Sequence, residues 1–237
     1  MTAPAHEAAP PSQTLSRGIQ ILELLAATAT PISIDAVAEH LDVHRSIAYR
    51  LVRTLEHHGL VRRDPAGGVV LGTRLAALAA GVSRDLQAEA LPELTAVANE
   101  LQMTCFLAVL DRDECITLAS VAPRDAVATV AQRPGSRHPV TMGAPGKAIL
   151  AQLPVNQWPS VPEGLATEIA QVATAGYATS QGEVIATVQA VAVPLRLRGQ
   201  QPAALAVIHV AGQLVEPATL AARLQRAAAA ITRALEG

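Results

Sequence analysis

Over the first seventy positions, apolar residues recur with the period of a helix, and the polar residues between them gather on faces of their own. Leu15, Ile19, Leu22 and Leu25 are spaced for a helix over residues 14–27, and residues 28–31 break it. Ser33 is placed to cap a short second helix over 34–40, with Asp35 near its positive end and Val37 and Ala38 turned inward. Residues 41–43 make a turn, in which Asp42 accepts a left-handed conformation better than most side chains. In the third helix two faces separate. At about 100° per residue, Arg45, Ser46, Tyr49, Arg50 and Arg53 fall within an arc of roughly 140°, while Ile47, Ala48, Leu51, Val52 and Leu55 fill the opposite side. Gly59 terminates that helix, and residues 60–63 and 68–71 read as a hairpin around Asp64-Pro65-Ala66-Gly67. Three helices followed by a hairpin describe a winged helix-turn-helix over residues 13–72.

Past the hairpin the apolar stripe narrows. Leu75, Leu78, Val82 and Leu86 stand 3, 4 and 4 residues apart, the seam of a linker helix over 73–91 that packs on a partner chain. Packing on its own domain is the plainer alternative. From 92 to 237 strands and helices mix. Strands at 105–110 and 115–121 flank an Asp111-Arg112-Asp113-Glu114 turn, and a further strand is expected at 126–132. Another pair, at 191–195 and 203–210, surrounds Arg198-Gly199-Gln200. Helices are expected at 145–153, 163–174 and, rich in Ala, 216–235. Sequential hairpins with helices between them argue for an α+β domain with a mainly antiparallel sheet.

The 237 residues leave room for one or two domains and a sizeable core. Half are hydrophobic but only 2% are aromatic, which favours closely packed Ala-rich helices over a large aromatic pocket. The formal net charge of −2 gives no general affinity for polyanions, so any such site must be local. One is: residues 45–63 hold five Arg and one Glu. Residues 1–12 carry neither a basic nor an apolar leader segment and read as a frayed tail. No apolar run approaches the ~18 residues needed to span a bilayer. Cys105 and Cys115 are too few for a disulfide framework and wrongly spaced for structural zinc, so a reducing cytoplasm is expected. Nothing calls for a cofactor or a metal.

The third helix carries the clearest chemistry. Its polar face has cations and no carboxylate, which suits a polyanion. In a helix-turn-helix the second helix of the motif enters the major groove with its early residues at base edges. Arg45, Ser46 and Tyr49 are therefore the candidates for base contact, since Arg addresses guanine O6 and N7 with two hydrogen bonds. Arg50 and Arg53 fall further along, toward phosphate, and Arg62 and Arg63 on the wing do likewise or reach the minor groove. A merely solvated basic face is the plain alternative. One such domain binds weakly, so two copies on a palindrome are implied. Elsewhere, Gly143-Ala144-Pro145-Gly146 precedes a helix whose free N–H groups attract anions, although Thr141 and Ala148 exclude a Walker loop. Lys147, the chain's one lysine, pairs with a ligand or, more simply, sits in a structural salt bridge. His40 and His44 have metal-ligand spacing, but the turn separates them.

Leu15-Ser16-Arg17-Gly18-Ile19-Gln20-Ile21-Leu22 resembles the opening of IclR-type transcriptional regulators. Arg45-Ser46 and Arg50-Leu51 stand where that family has its recognition-helix signature, and Gly59-Leu60-Val61 and Leu71-Gly72 match its wing. Further on, residues 139–150 with Gly146-Lys147-Ala148 inside, then Gly176-Tyr177-Ala178, Glu183 and Ala192-Val193-Pro194, follow in the family's order. The resemblance covers residues 14–236; Asp42 departs from the glycine usual in the turn. It implies a GAF-like, effector-binding C-terminal domain joined to the winged domain by the linker helix. By the same resemblance the effector pocket takes Gly143, Ala144 and Pro145 from the loop, Ser180 from the strand after the Gly-Tyr pair, and Val188, Ala190, His209 and Ala211 from the last two strands. An organic acid is one candidate effector class, and an aromatic acid, an amide and an aliphatic acid all fit. His209 is either a buried histidine bonded to a neighbour or, with Ser180, the group that orients one polar end of an apolar effector.

These readings converge on a cytoplasmic one-component regulator, repressor or activator, of small-molecule metabolism. It binds palindromic double-stranded operator DNA as a homodimer or homotetramer. A DNA-binding scaffold without an effector is one alternative. A GAF-type thiol enzyme working through Cys105 or Cys115 is the other.

Overall fold

The computed structural model describes residues 12–28, 30–125, 130–211 and 215–236, and the chain divides into a unit ending at Val82 and a second beginning at Ser83. The first unit opens with α1 (Gln13–Ala27), α2 (Ile34–His40) and α3 (Arg45–His57). Their starts are capped from the sequence: Ser12 Oγ accepts Leu15 N–H at 3.4 Å and Ser33 Oγ accepts Ala36 N–H at 3.1 Å. The turn between α2 and α3 places Asp42 at φ 49°, and Gly59 at φ 68° leads out of α3, as the sequence anticipates. β1 (Val61–Arg63) and β2 (Val69–Leu71) pair antiparallel as the wing. Asp64 closes it, with Oδ1 accepting Gly68 N–H at 2.6 Å.

The core of this unit holds Ile21, Leu25, Val37, Ala48, Val52, Leu55, Val61 and Val69. Two apolar faces are narrower than their periodicity implies. On α1 the buried residues are Gly18, Ile21 and Leu25, leaving Leu15 and Ile19 exposed; on α3, Ile47 is exposed and Leu51 only half-buried.

The continuous linker helix expected at 73–91 is two helices. α4 (Arg74–Ala79) buries none of its residues, and α5 (Arg84–Leu101) begins only after Ser83 takes the left-handed conformation at φ 45°. The proposed seam breaks with it: Leu86 is core in the second unit, whereas Leu78 and Val82 are exposed. Gly81, two residues before the break, is the signal in the sequence that foretells it.

The second unit is built on β3 (Thr104–Asp111), β4 (Glu114–Val121) and β5 (Arg137–Pro139), then α6 (Gly143–Leu150) and α7 (Glu163–Ala175), then β6 (Ala178–Gln181), β7 (Val188–Leu195) and β8 (Ala203–Val210), and α8 (Pro217–Glu236). The six strands form one antiparallel sheet in the order β5-β4-β3-β8-β7-β6. Of the strand expected at 126–132, residues 126–129 lie outside the described residues, and 130–132 are not strand. β5 was not anticipated by any pattern.

Alternation sorts the strands onto two layers. Leu107, Val193, Leu205 and Val207 face α5 and α8, with Leu94, Leu220 and Leu224 packed on them. Phe106, Ala190, Ala192, Ala204, Ala206 and Ile208 face α6 and α7. The alanines of that second face let α6 approach closely. A Cβ on Gly146 would stand 2.1 Å from Val140 O, so only glycine fits the entry to α6. Trp158 holds the other end, its Nε1–H donating to Leu150 O at 2.9 Å and Leu153 O at 3.1 Å.

Candidate functional site

Two sites emerge, one in each unit. In the first, α3 is amphipathic and its outer face is open: Arg45, Ser46, Tyr49, Arg50 and Arg53 are all exposed, as is Arg62 on the wing. The residues at its start are arranged by side-chain contacts. His44 Nδ1 accepts Ser46 N–H at 3.3 Å and lies 2.9 Å from Ser46 Oγ, so this imidazole serves as a helix cap. Arg45 Nη1 donates to both oxygens of Asp35, at 2.5 and 2.6 Å, leaving the parallel Nε–H and Nη2–H edge open. Arg63 behaves differently from Arg62. Its Nη1 donates to Gly67 O at 2.9 Å and its Nε stands 4.0 Å from Glu56, which ties the guanidinium to the hairpin it belongs to.

The second site is a cleft between the start of α6, the open face of β7 and β8, and the segment 182–187. Gly143, Pro145, Ser180, Val188 and Ala190 line it, together with Phe106, Gln132, His138, Glu183, Val184, Ile185 and Ile208. It spans about 420 Å³, of which about 40 Å³ admits the centre of a water molecule, so it is a slot rather than a chamber. Three residues expected there stand elsewhere. Ala144 is fully buried beneath the loop, and Ala211 has passed the end of β8, its N–H donating to Thr187 O at 2.9 Å. His209 pairs across the sheet with Gln189 and shares its face, the reverse of the one carrying Ala190 and Ile208. It borders an adjoining and larger groove, about 800 Å³ against about 420 Å³ for the cleft, near Lys147, Glu168 and Pro217, and its Nδ1 lies 3.1 Å from Val210 O. Ser180 pairs with Ala190, and these two residues with Glu183 border both the cleft and the groove that His209 lines, so Ser180 and His209 share that groove and not the cleft. Ile208, one residue earlier, occupies the place expected for His209.

The start of α6 is not the free anion site that its sequence invites. Glu183 Oε2 accepts Gly143 N–H at 2.8 Å, while its Oε1 receives Lys147 Nζ at 2.5 Å. Lys147 is buried, and its other donors go to Glu168 Oε2 at 2.5 Å and Thr179 O at 3.1 Å. Burial pulls its ammonium toward a lower pKa, but the hydrogen bonds and charges of Glu168 and Glu183 more than reverse this, and the net shift is upward. The structural salt bridge is thus the arrangement observed.

The thiols are unsuited to chemistry. Cys105 and Cys115 are free and buried, and burial pushes each up to about 12, against a small lowering of Cys105 by Arg223. Among the described residues no three His, Cys, Asp or Glu side chains gather as metal ligands, and no helix is long and apolar enough to cross a membrane.

With this geometry in view, comparison with known proteins adds the following. The IclR helix-turn-helix domain model matches residues 14–65, and the model for the C-terminal region of bacterial IclR transcriptional regulators matches 79–233. The HTH-type transcriptional regulator XynR of Escherichia coli is 28% identical over 94% of this chain and 97% of its own. TtgV of Pseudomonas putida is 30% identical over 60% of this chain and 55% of its own. Among solved structures, an IclR transcriptional regulator from Alicyclobacillus acidocaldarius superposes with a TM-score of 0.83 at 26% identity, covering 95% of this chain and 99% of that one. An IclR homologue from Microbacterium hydrocarbonoxydans, in complex with 4-hydroxybenzoate, gives 0.82 at 27%, covering 94% and 99%.

Proposed function

Because the chain belongs to the IclR family of bacterial transcriptional regulators, we propose that it controls genes of small-molecule metabolism by an effector-dependent grip on a palindromic operator. It is a DNA-binding regulator rather than an enzyme. The observation that carries the reading is the open cationic face of α3 beside a braced wing. Arg45, Ser46 and Tyr49 meet base edges in the major groove, Arg50, Arg53 and Arg62 neutralise phosphates, and Arg63 holds the wing in shape. Two winged units are needed to span successive grooves, so the working species is a homodimer or a homotetramer in the cytoplasm. The exposed Leu15 and Ile19 on α1 and Leu78 on α4 supply apolar surface for that association. The cleft at the start of α6 takes the effector, a role supported by the ligand-bound homologue. Coupling requires that the effector bind one arrangement of the dimer better than the other, because equal affinity would shift nothing.

Selection of bound duplexes from a random DNA library by the full chain tests this. Enriched inverted repeats with half-sites about one helical turn apart are expected. Recovery of unrelated sequences with no symmetry would leave only non-specific binding and refute the operator reading.

A further inference from the structure

Five polar side chains converge on the groove beside the cleft. Thr179, Ser180 and Gln181 come from β6, Gln189 from β7 and His209 from β8. Among the described residues, neither the two hydroxyls nor the two amides have a protein partner. His209 is buried, and only its Nδ1 meets a protein atom, Val210 O at 3.1 Å. A buried nitrogen sealed away without a partner is costly, and the described residues contain no such side-chain atom. Nε2 of His209 therefore opens on the groove that the residue lines. The charges nearby are spent on one another. Lys147 gives its donors to Glu183, Glu168 and Thr179 O, which leaves an excess of one carboxylate and no free ammonium or guanidinium on the walls. Ala190, Val191, Val215 and Pro217 supply the apolar part of the lining.

We propose that this groove is a second binding site, distinct from the cleft, for a neutral, hydroxyl-rich molecule of the polyol class. Hydroxyls and primary amides each give and take hydrogen bonds, and Nε2 does one or the other. Every hydroxyl of a polyol does both, so the match holds for either tautomer of His209 and either orientation of the amides. Its C–H edges lie on Val191, Val215 and Pro217. A carboxylate or phosphate would lose its water, meet no unspent ammonium or guanidinium, and lie beside the excess carboxylate. This site does not depend on what the cleft takes. Ser180, Glu183 and Ala190 border both spaces, so a molecule in the groove also touches the cleft wall.

Calorimetric titration of the full chain at neutral pH with the straight-chain alditols of four to six carbons tests it. At least one should bind saturably, and the aldonate of the same carbon skeleton should bind at least about tenfold more weakly, the difference of one hydrogen bond made or missing. The matching 1-amino alditol should bind no more tightly than the alditol. Gln189→Leu and His209→Phe should each weaken the alditol about tenfold, and thermal melting of each free variant checks that it folds. Val188→Trp, at a residue that lines the cleft and not the groove, should leave alditol binding unchanged. Loss of binding in Val188→Trp with retention in both polar variants would put the alditol in the cleft, so the groove site falls while the cleft reading stands. Absence of saturable binding by every alditol, or tighter binding of the aldonate or the amino alditol, also overturns the proposal.

Discussion

Each unit of this regulator holds a cation against carboxylate, and the two arrangements behave differently because water reaches one of them. Arg45 and Asp35 meet on the outside of the winged unit, with side chains 65% and 63% exposed. Lys147 lies between Glu183 and Glu168 with 4% of its side chain exposed. The exposed pair adds little to stability, since solvent screens it and both side chains give up rotamer freedom to form it. It can therefore be opened by a ligand at small cost, which is what a DNA-reading residue needs. Opening the second arrangement would leave the buried Lys147 ammonium in a poor solvent, although Glu168 itself is 53% exposed. The cluster's role is to fix the segment 182–187 to the start of α6 and to give the cleft its shape.

The largest expected effect breaks the buried cluster. Lys147→Met leaves the partly exposed Glu183 and Glu168 facing each other without a counter-ion and should destabilise the C-terminal unit by more than about 1 kcal/mol, read from urea unfolding. Restoring neutrality with Glu168→Gln and Glu183→Gln in the same chain should recover much of the loss. A single Lys147→Met protein within about 1 kcal/mol of the parent would remove the distinction drawn between the two sites. The pH dependence has a definite sign. The lysine's folded value is raised above its ordinary 10.5, so its contribution is complete below that value and disappears as pH climbs through the folded one. Melting temperature should therefore be insensitive to this group from pH 7 to 9 and fall at strongly alkaline pH.

The next effect lies on DNA. Arg45→Ala should weaken operator binding by about 1–3 kcal/mol and relax the preference at one base pair, seen by competition with single-base variants of the selected site. Arg62→Ala should instead weaken all sequences alike and flatten the salt dependence by about one counter-ion. Arg63→Ala should loosen the wing first, because its guanidinium holds Gly67 O rather than projecting freely. A salt slope that falls equally for Arg62 and Arg63 would show that both touch phosphate.

How much of this could be read beforehand follows from distance along the chain. The two faces of α3 lie within thirteen consecutive residues, so local periodicity displays them. The cleft draws on Phe106, Gln132, His138, Glu183 and Ile208, which meet only once six strands have found their register. In a sheet a shift of one residue reverses the face, and that is the distance between His209, expected at the site, and Ile208, found there. The bond from Lys147 to Glu183 spans 36 positions and has no local signature, though the glycine-rich start of α6 did mark the place where it forms.

The smallest effect on stability, and the most telling for the comparison, comes from Asp35. Its carboxylate holds Arg45 through Nη1 alone, so the Nε and Nη2 edge remains aligned for a guanine. If Asp35 buttresses that edge, Asp35→Ala should change unfolding free energy by less than about 1 kcal/mol, as an exposed pair allows. Discrimination at the base read by Arg45 should nevertheless drop, because the freed guanidinium can turn to phosphate. If Asp35 merely competes with DNA for Arg45, the same variant should bind every duplex more tightly and keep its preference intact. Affinity and selectivity measured on one matched and one mismatched site decide between them. Only the first outcome preserves the view that an exposed ion pair can serve recognition without serving the fold.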